Sequence, residues 1–270
     1  MVRIEGVEPT RLSALDPKSS VSTSSTISAF IIIYLRIYKT IYIIIQNDYY
    51  YIALLKNTKI KTTMILEIEP TKISTKDLHK YLLSSIGPRP IALASTIDLH
   101  GINNVSPFSF FNIFSANPPI AIFSPARRVR NNTTKDTLEN IKEVKEVVIN
   151  IVNDEIVDRA SISSTEFPRE IDEFVESGLT PIASKKIKPF RVYESPVQME
   201  CKVNQIIELG QNGGAGNLIV CEIILMHINS SILDENNHID QNKIKLVGRL
   251  GDNWYCKGFN QGLFEIKKPK

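Results

Sequence analysis

A basic stretch at positions 124–137 holds the side chains best suited to bind an anion. It reads SPARRVRNNTTKDT and places four cations within nine positions, at Arg127, Arg128, Arg130 and Lys135. A strand is predicted to end at Ser124, and Thr133 or Thr134 is predicted to cap a helix that begins there. Free backbone N–H groups at a helix start, flanked by Arg and Lys, attract phosphate. The pattern is equally typical of a solvated basic loop before a capped helix.

A second stretch, 103–115, mixes hydroxyl residues with four phenylalanines in the order NNVSPFSFFNIFS. A planar cofactor ring needs apolar walls together with a few placed donors and acceptors, and this composition can supply both. Phenylalanines at such spacing are also typical of a hydrophobic core. The residues alone leave both interpretations open.

Other common catalytic and binding motifs are missing. The glycines of 210–216 do not make a G-x-G-x-x-G between a strand and a helix, and they predict a hairpin turn instead. The four histidines show no metal-ligand or catalytic spacing, so neither catalytic side chains nor a metal site is predicted. Three cysteines without C-x-x-C spacing argue against a disulfide framework and a zinc site, which favours a reducing cytoplasmic location.

Hydrophobic periodicity predicts the elements that would position these stretches. Helices are expected at 77–85, 136–145, 156–163 and 171–177, with Leu138, Ile141 and Val144 on one stripe of the second helix. Strands are expected at 90–97, from 102, and at 119–123, 147–152, 199–209 and 218–228, the first two joined by the turn 98–101. Many strands with few helices indicate a closed antiparallel barrel with helical additions.

The first 63 residues differ in composition from the rest. Positions 27–63 lack Gly, Pro, Glu and Val, and six of the nine tyrosines fall within 34–51. We interpret 1–63 as an atypical extension, either sequence upstream of a true start at Met64 or a disordered segment. A membrane anchor at the apolar run 27–45 is the alternative, although Arg36 and Lys39 each oppose insertion by roughly 2.5 to 3.5 kcal/mol. One domain is expected at 64–262, followed by a basic tail at 263–270.

The net charge of +3 is spread along the chain, so no nucleic-acid surface is indicated. Five stretches, taken in order, resemble the flavin reductase-like family of FMN-binding proteins, which includes flavoredoxin. They are 86–96 (IGPRPIALAST), 106–112 (SPFSFFN), 123–128 (FSPARR), 134–137 (TKDT) and 248–255 (GRLGDNWY). The resemblance implies a mainly β fold, a six-stranded antiparallel Greek-key split barrel with added short helices. It also implies a homodimer, with FMN in a groove that the partner subunit helps to close.

The resemblance further implies cofactor-binding roles for residues within these stretches. Ser95 and Thr96 would line the flavin site from the first barrel strand. Phe108, Ser109 and Asn112 would contact the isoalloxazine ring or ribityl chain, and Trp254 and Tyr255 would pack near the flavin or the dimer seam. The remaining expected cofactor-binding residues, most of them around the phosphate, are Arg89, Ser106, Ser124, Arg127, Arg128, Lys135 and Thr137.

The implied function is that of an NAD(P)H-dependent flavin reductase or the reductase component of a flavin-dependent monooxygenase. NADH or NADPH would give hydride to the flavin, so no protein acid or base is required. Many relatives carry His where this chain has Asn217, which puts the electron donor in doubt. The alternative is a flavoredoxin-like FMN electron carrier that receives electrons from another protein.

Overall fold

A computed structural model describes residues 32–37, 39–46, 49–54 and 61–266, and the chain divides into two compact units between Ile68 and Glu69. The first unit contains an antiparallel sheet of β1 (Ile32–Ile37), β2 (Lys39–Gln46), β3 (Tyr49–Leu54) and β4 (Lys61–Ile65). The described part of 27–45 therefore lies in β1 and β2. None of the described helices is long and apolar enough to span a bilayer. The rest of 1–60 and positions 267–270 of the expected basic tail lie outside the described residues.

The second unit is built on a large antiparallel sheet. Its strands are β5 (Ala92–Ile97), β6 (Asn103–Phe108), β7 (Phe111–Ala116), β8 (Pro119–Phe123), β9 (Glu146–Ile151), β12 (Val197–Glu208) and β13 (Asn217–Ile228). They run in the order β6-β5-β9-β12-β13-β8-β7. Two short pairs accompany this sheet, β10 (Pro181–Ile182) with β11 (Arg191–Val192) and β14 (Val247–Arg249) with β15 (Tyr255–Lys257). The helices are α1 (Thr75–Ser85), α2 (Asp136–Val144), α3 (Val157–Ile162), α4 (Glu173–Ser177) and α5 (Gln241–Ile244).

The predicted mainly β fold with short helices is confirmed, but the count of six strands is wrong because the main sheet has seven. The pattern predicts one strand from 102 after the turn at 98–101, but the chain forms two strands there, β6 and β7. The backbone bends at Ser109 and Phe110, and β7 folds back onto β8 through the turn at Asn117 and Pro118. The sequence signals this bend only weakly, because Ser109 is a weaker turn former than Gly, Asn or Asp and Phe110 is not a turn former.

Side chains that alternate along the strands of the sheet belong to two hydrophobic clusters. On β5, Ala92 and Ala94 belong to one cluster and Leu93 to the other, as the two-residue period of a strand requires. Leu138 and Ile141 of α2 are buried in the first cluster, as their stripe predicted, while Phe174 of α4 is buried in the second. Each such side chain stabilises the fold by about 1.5 to 3 kcal/mol, which fixes these helices against the sheet.

Candidate functional site

A cavity of about 310 Å³ lies between the start of α2, the start of α4 and the middle of β6. We call it the cationic cavity because three cations contribute to its lining. Its residues are Asn104, Ser106, Arg128, Val129, Arg130, Lys135, Asp136, Thr137, Ser164, Thr165, Glu166, Phe167 and Glu173. Three of the four cations of the basic stretch thus line a concave site rather than a flat solvated surface.

The α2 helix begins beside this cavity without a side-chain cap, so the predicted cap at Thr133 or Thr134 is wrong. The N-cap position is Lys135, whose side chain has no acceptor, and the helix starts at Asp136. Arg128 draws both threonines into the preceding loop, since its Nη1 donates to Thr133 Oγ1 (3.2 Å) and to the Thr134 carbonyl. A helix start that lacks its own cap keeps backbone N–H groups available to an anion.

Lys135 concentrates positive charge inside the cavity. Its Nζ lies 5.0 Å from the centroid of the Phe108 ring, within cation–π range. Burial lowers the pKa of Lys135 from its ordinary value, and the nearby Arg128 guanidinium lowers it further. An anion placed between the two cations would relieve their repulsion and raise the pKa of the lysine again.

Three carboxylates line the cavity with these cations, and two of them, Glu166 and Glu173, come from outside the basic stretch. Glu166 forms ion pairs with both Arg128 and Arg130. Glu173 is buried, and its Oε2 accepts a hydrogen bond from the Val105 N–H at 2.8 Å. Burial raises the pKa of Glu173 to about 7, because this one hydrogen bond does not compensate for lost hydration.

A second cavity, of about 260 Å³, adjoins the first and has a different lining. We call it the apolar cavity; its residues are Ile91, Pro107, Phe108, Ser109, Val152, Val157, Ala160, Ser161, Ser164, Arg249, Asn253 and Tyr255. Ser164 lines both cavities, and β6 gives Ser106 to one and Phe108 to the other. The Arg249 guanidinium lies 4.6 Å from the centroid of the Tyr255 ring, which holds that ring in place.

The hairpin turn between β12 and β13 packs against the basic stretch, and the glycines at 210–216 permit this close approach. Arg127 N donates to the Ala215 carbonyl (2.8 Å), and Gly214 N donates to the Arg127 carbonyl (2.9 Å). A Cβ on Gly213 would lie 2.9 Å from the Val129 Cα, so only glycine permits this approach. The buried Asn217 side chain adds a bond from its Nδ2 to the Pro125 carbonyl at 2.9 Å.

Seven of the predicted site residues are brought together by these two cavities. Four line the cationic cavity, namely Ser106, Arg128, Lys135 and Thr137. Three line the apolar cavity, namely Phe108, Ser109 and Tyr255. The basic stretch and the Phe and Ser stretch, which are separate in sequence, therefore form one continuous site.

Three further predicted residues lie behind the site. The Arg89 guanidinium donates to the Ser109 Oγ (3.3 Å) and to the Leu250 carbonyl (2.8 Å), and so positions Ser109 at the apolar cavity. Ser95 and Thr96 are buried in the sheet and line neither cavity. Ser95 donates to the Phe190 carbonyl, while the Thr96 hydroxyl bonds Asn104, which does line the cationic cavity.

The remaining predicted residues lie outside both linings, and their cofactor roles stay predictions. Asn112 is exposed on β7, and Trp254 is 73% exposed. Ser124 has a buried Oγ that finds no hydrogen-bond partner within the described residues. Arg127 is turned toward its own loop, where its Nε donates to Asn132 Oδ1 at 2.7 Å.

Several lining residues were not predicted from the sequence. Ser161, Ser164 and Thr165 belong to a run of four hydroxyl residues in five positions, which is a local signal for a polar binding loop. Glu166 and Glu173 carry no such signal, because acidic residues in a loop and in a short helix are usually solvated. They reach the cavity only through the fold.

Comparison with known proteins identifies the family of this site. The model of the flavin reductase like domain matches residues 84–243. The chain belongs to the flavin reductase-like family. An uncharacterized protein of Aquifex aeolicus is 39% identical over 184 residues, which cover 68% of this chain and 91% of the relative. Another, from Halalkalibacterium halodurans, is 31% identical over 71% of this chain and 92% of the relative.

Several solved structures have the same architecture. Nitrilotriacetate monooxygenase component B from Bacillus cereus superposes with a TM-score of 0.69 at 31% identity, covering 75% of this chain and 98% of that one. The 2-nitrobenzoate 2-nitroreductase of Pseudomonas fluorescens gives 0.67 at 26% identity, over 76% and 96% of the two chains. Flavoredoxin of Desulfovibrio vulgaris shares the fold with a TM-score of 0.56 at 23% identity, over 67% and 91%.

Proposed function

We propose that this flavin reductase-like protein binds FMN across the cationic and apolar cavities and acts as an NAD(P)H-dependent flavin oxidoreductase. The observation that carries the proposal is the adjoining of the two cavities, one with three cations and one with apolar walls, in a chain of this family. FMN has the matching division, with a phosphate at one end and a planar ring at the other. The donor set therefore fits the cofactor.

Each end of the cofactor has identifiable partners. Arg128, Arg130 and Lys135 would hold the phosphate together with the N–H groups at the start of α2. Phe108 and Tyr255 would contact the ring. When bound, FMN would supply the redox chemistry, so the protein has to supply binding, orientation and electrostatics.

The lining of the apolar cavity is consistent with a protein that orients ligands rather than transferring protons. Within the described chain, Arg249 and Tyr255 are its ionisable lining residues, and both are engaged with each other. Ser109, Ser161 and Asn253 offer neutral donors and acceptors for the polar edge of a ring. We therefore assign no catalytic acid or base.

The reductase component of a flavin-dependent monooxygenase is the form of this activity that we favour. Its support is the similarity to component B of nitrilotriacetate monooxygenase from Bacillus cereus. A monooxygenase or another electron-transfer protein would then be the physiological partner. We keep the cytoplasm as the proposed location.

A flavoredoxin-like electron carrier is the second candidate, and Asn217 favours it. The Asn217 side chain is buried against the Pro125 carbonyl and lines neither cavity. It therefore offers no contact to a nicotinamide ring at the apolar cavity. In a carrier, electrons would come from a protein rather than from NAD(P)H.

A homodimer is part of the proposal because an apolar surface remains exposed on two elements. Tyr81 and Leu82 of α1 are 46% and 51% exposed, and Ile113 and Phe114 of β7 are 48% and 65% exposed. The β7 strand is also an edge of the main sheet. Edge strands and apolar surfaces of this kind are commonly covered by a second subunit.

A stopped-flow experiment separates the reductase from the carrier. Protein loaded with FMN is mixed anaerobically with NADH or with NADPH, and the flavin absorbance is followed. The reductase proposal expects rapid bleaching with at least one nicotinamide. Flavin that stays bound and oxidised with both donors would contradict the reductase and support the carrier.

A further inference from the structure

Glu166 occupies the cations that the proposed function assigns to phosphate. Its Oε1 pairs with Arg128 Nε and its Oε2 with Arg130 Nη2, so one carboxylate bridges two arginines. The Arg128 side chain is 20% exposed and that of Glu166 38% exposed, which places the first pair partly out of water. A carboxylate and a phosphate present the same kind of oxygen acceptors to guanidinium groups.

We propose that Glu166 takes the place of the phosphate in the free protein. Glu166 must release Arg128 when a phosphorylated ligand binds, and this competition weakens the binding of the ligand. This inference rests on the proposed function for the identity of the ligand, but the ion pairs exist independently of it.

The charges around the cavity favour this interpretation. Three cations, Arg128, Arg130 and Lys135, face the three acidic side chains of Asp136, Glu166 and Glu173 among the lining residues. Asp136 Oδ2 lies 4.0 Å from Arg128 Nη2, but Asp136 is the first residue of α2. Glu173 is buried at the start of α4. Neither can leave without disturbing a helix. Glu166 is the acid that can move aside.

The backbone around Glu166 permits such movement. Among the described residues, the N–H and carbonyl groups of Glu166 and Phe167 make no backbone hydrogen bond. The neighbours on each side are held, because Thr165 N donates to the Ile162 carbonyl and Ile171 N to the Pro168 carbonyl, both at 3.0 Å. A short unanchored segment between two fixed points can rotate a side chain away at little cost.

The test compares Glu166→Gln with Glu170→Gln, a matched change of charge four positions further along the same loop. Glu170 is exposed and forms no ion pair within the described chain. FMN and riboflavin affinities are measured by quenching of flavin fluorescence, with circular dichroism to verify folding. We expect Glu166→Gln to bind FMN about 5- to 20-fold more tightly than wild type, since it releases a charge-assisted contact. Riboflavin affinity should change less than about twofold, as should both affinities of Glu170→Gln.

Inorganic phosphate provides an arm that does not depend on flavin. Added phosphate should raise the melting temperature of Glu166→Gln more than that of wild type or Glu170→Gln. Unchanged or weaker FMN and phosphate binding by Glu166→Gln would overturn this role of Glu166 while leaving the proposed function intact. Wild-type protein that binds no FMN would overturn the proposed function, and the phosphate arm would then decide the role of Glu166 alone.

Discussion

Two buried glutamates show how differently this fold treats the same side chain. Glu200, on β12, is fully buried and accepts the Lys185 and Lys186 N–H groups, each at 2.7 Å, while His227 Nε2 lies 2.7 Å from its Oε1. Glu173, at the cationic cavity, is 8% exposed and accepts one backbone N–H. The surroundings of Glu200 are saturated with donors, whereas those of Glu173 are not.

The pKa values move in opposite directions for this reason. Burial alone would raise the pKa of Glu200, but the hydrogen bonds from Lys185, His227 and Lys186 outweigh it and hold the pKa below its ordinary value. At Glu173 burial prevails and raises the pKa to about 7. A buried carboxylate that accepts three hydrogen bonds stabilises the fold, while one that accepts a single bond marks a place where a ligand or a proton can still be accepted.

Removing the charge at the saturated site should have the largest effect. Glu200→Gln replaces an acceptor by an amide N–H₂ that faces donors, and it leaves Arg191 and His227 without their carboxylate. Urea denaturation at neutral pH should show that the free energy of unfolding of Glu200→Gln is about 3 to 5 kcal/mol lower than that of wild type. Glu208→Gln, on the exposed end of the same strand, should change stability by less than about 0.5 kcal/mol. A loss at position 200 no greater than at 208 would refute the structural role.

Stability should also depend on pH through Glu200. Because the folded pKa lies below the unfolded one, its contribution is present above the unfolded value of about 4.5 and disappears as the pH falls through the folded value. The difference in unfolding free energy between wild type and Glu200→Gln should therefore shrink below pH 4.5. A difference that stays constant down to pH 3 would contradict this contribution of Glu200 to stability.

The under-satisfied site should behave in the opposite way. Its folded pKa of about 7 exceeds the unfolded value of 4.5, so the stability that protonated Glu173 confers is lost as the pH rises through 7. Glu173→Gln, which keeps the acceptor for Val105 N, should be more stable than wild type at pH 8 by up to about 3 kcal/mol. At pH 4 the two proteins should be equal. The exposed Glu176→Gln on α4 serves as the control and should match wild type at both pH values.

The contrast also shows what the sequence could and could not predict. Local patterns were sufficient for α1, for the hairpin of β5 and β6, and for α2 with its Leu138 and Ile141 stripe. They failed at the bend after Phe108, where a strand was missed, and at Thr133, where Arg128 took the hydroxyl that a cap would use. The first failure reflects residues with little turn propensity, and the second reflects a contact that only the folded chain creates.

The site was predictable where chemistry sits in one run of sequence. Arg128 and Lys135 line the cationic cavity as the basic stretch suggested, and Phe108 lines the apolar one. Glu166 and Glu173 come to the cavity from a distant loop and helix, and no spacing connects them to the cations. The sequence therefore predicted the cations of this cavity but not Glu166 and Glu173, which face them.

The central claim is that the cationic cavity binds the phosphate of a flavin, and Lys135 tests it most directly. Titration of Lys135→Ala should show FMN affinity reduced about tenfold to a hundredfold, because a charge-assisted contact of roughly 1.5 to 3 kcal/mol is lost. Riboflavin, which has the same ring without phosphate, should bind weakly to wild type and equally weakly to the variant. Lys142 lies in α2, where its side chain pairs with Glu139. The control variant Lys142→Ala should leave both affinities unchanged. Equal FMN affinity in wild type and Lys135→Ala at low salt, with the fold intact, would contradict the account.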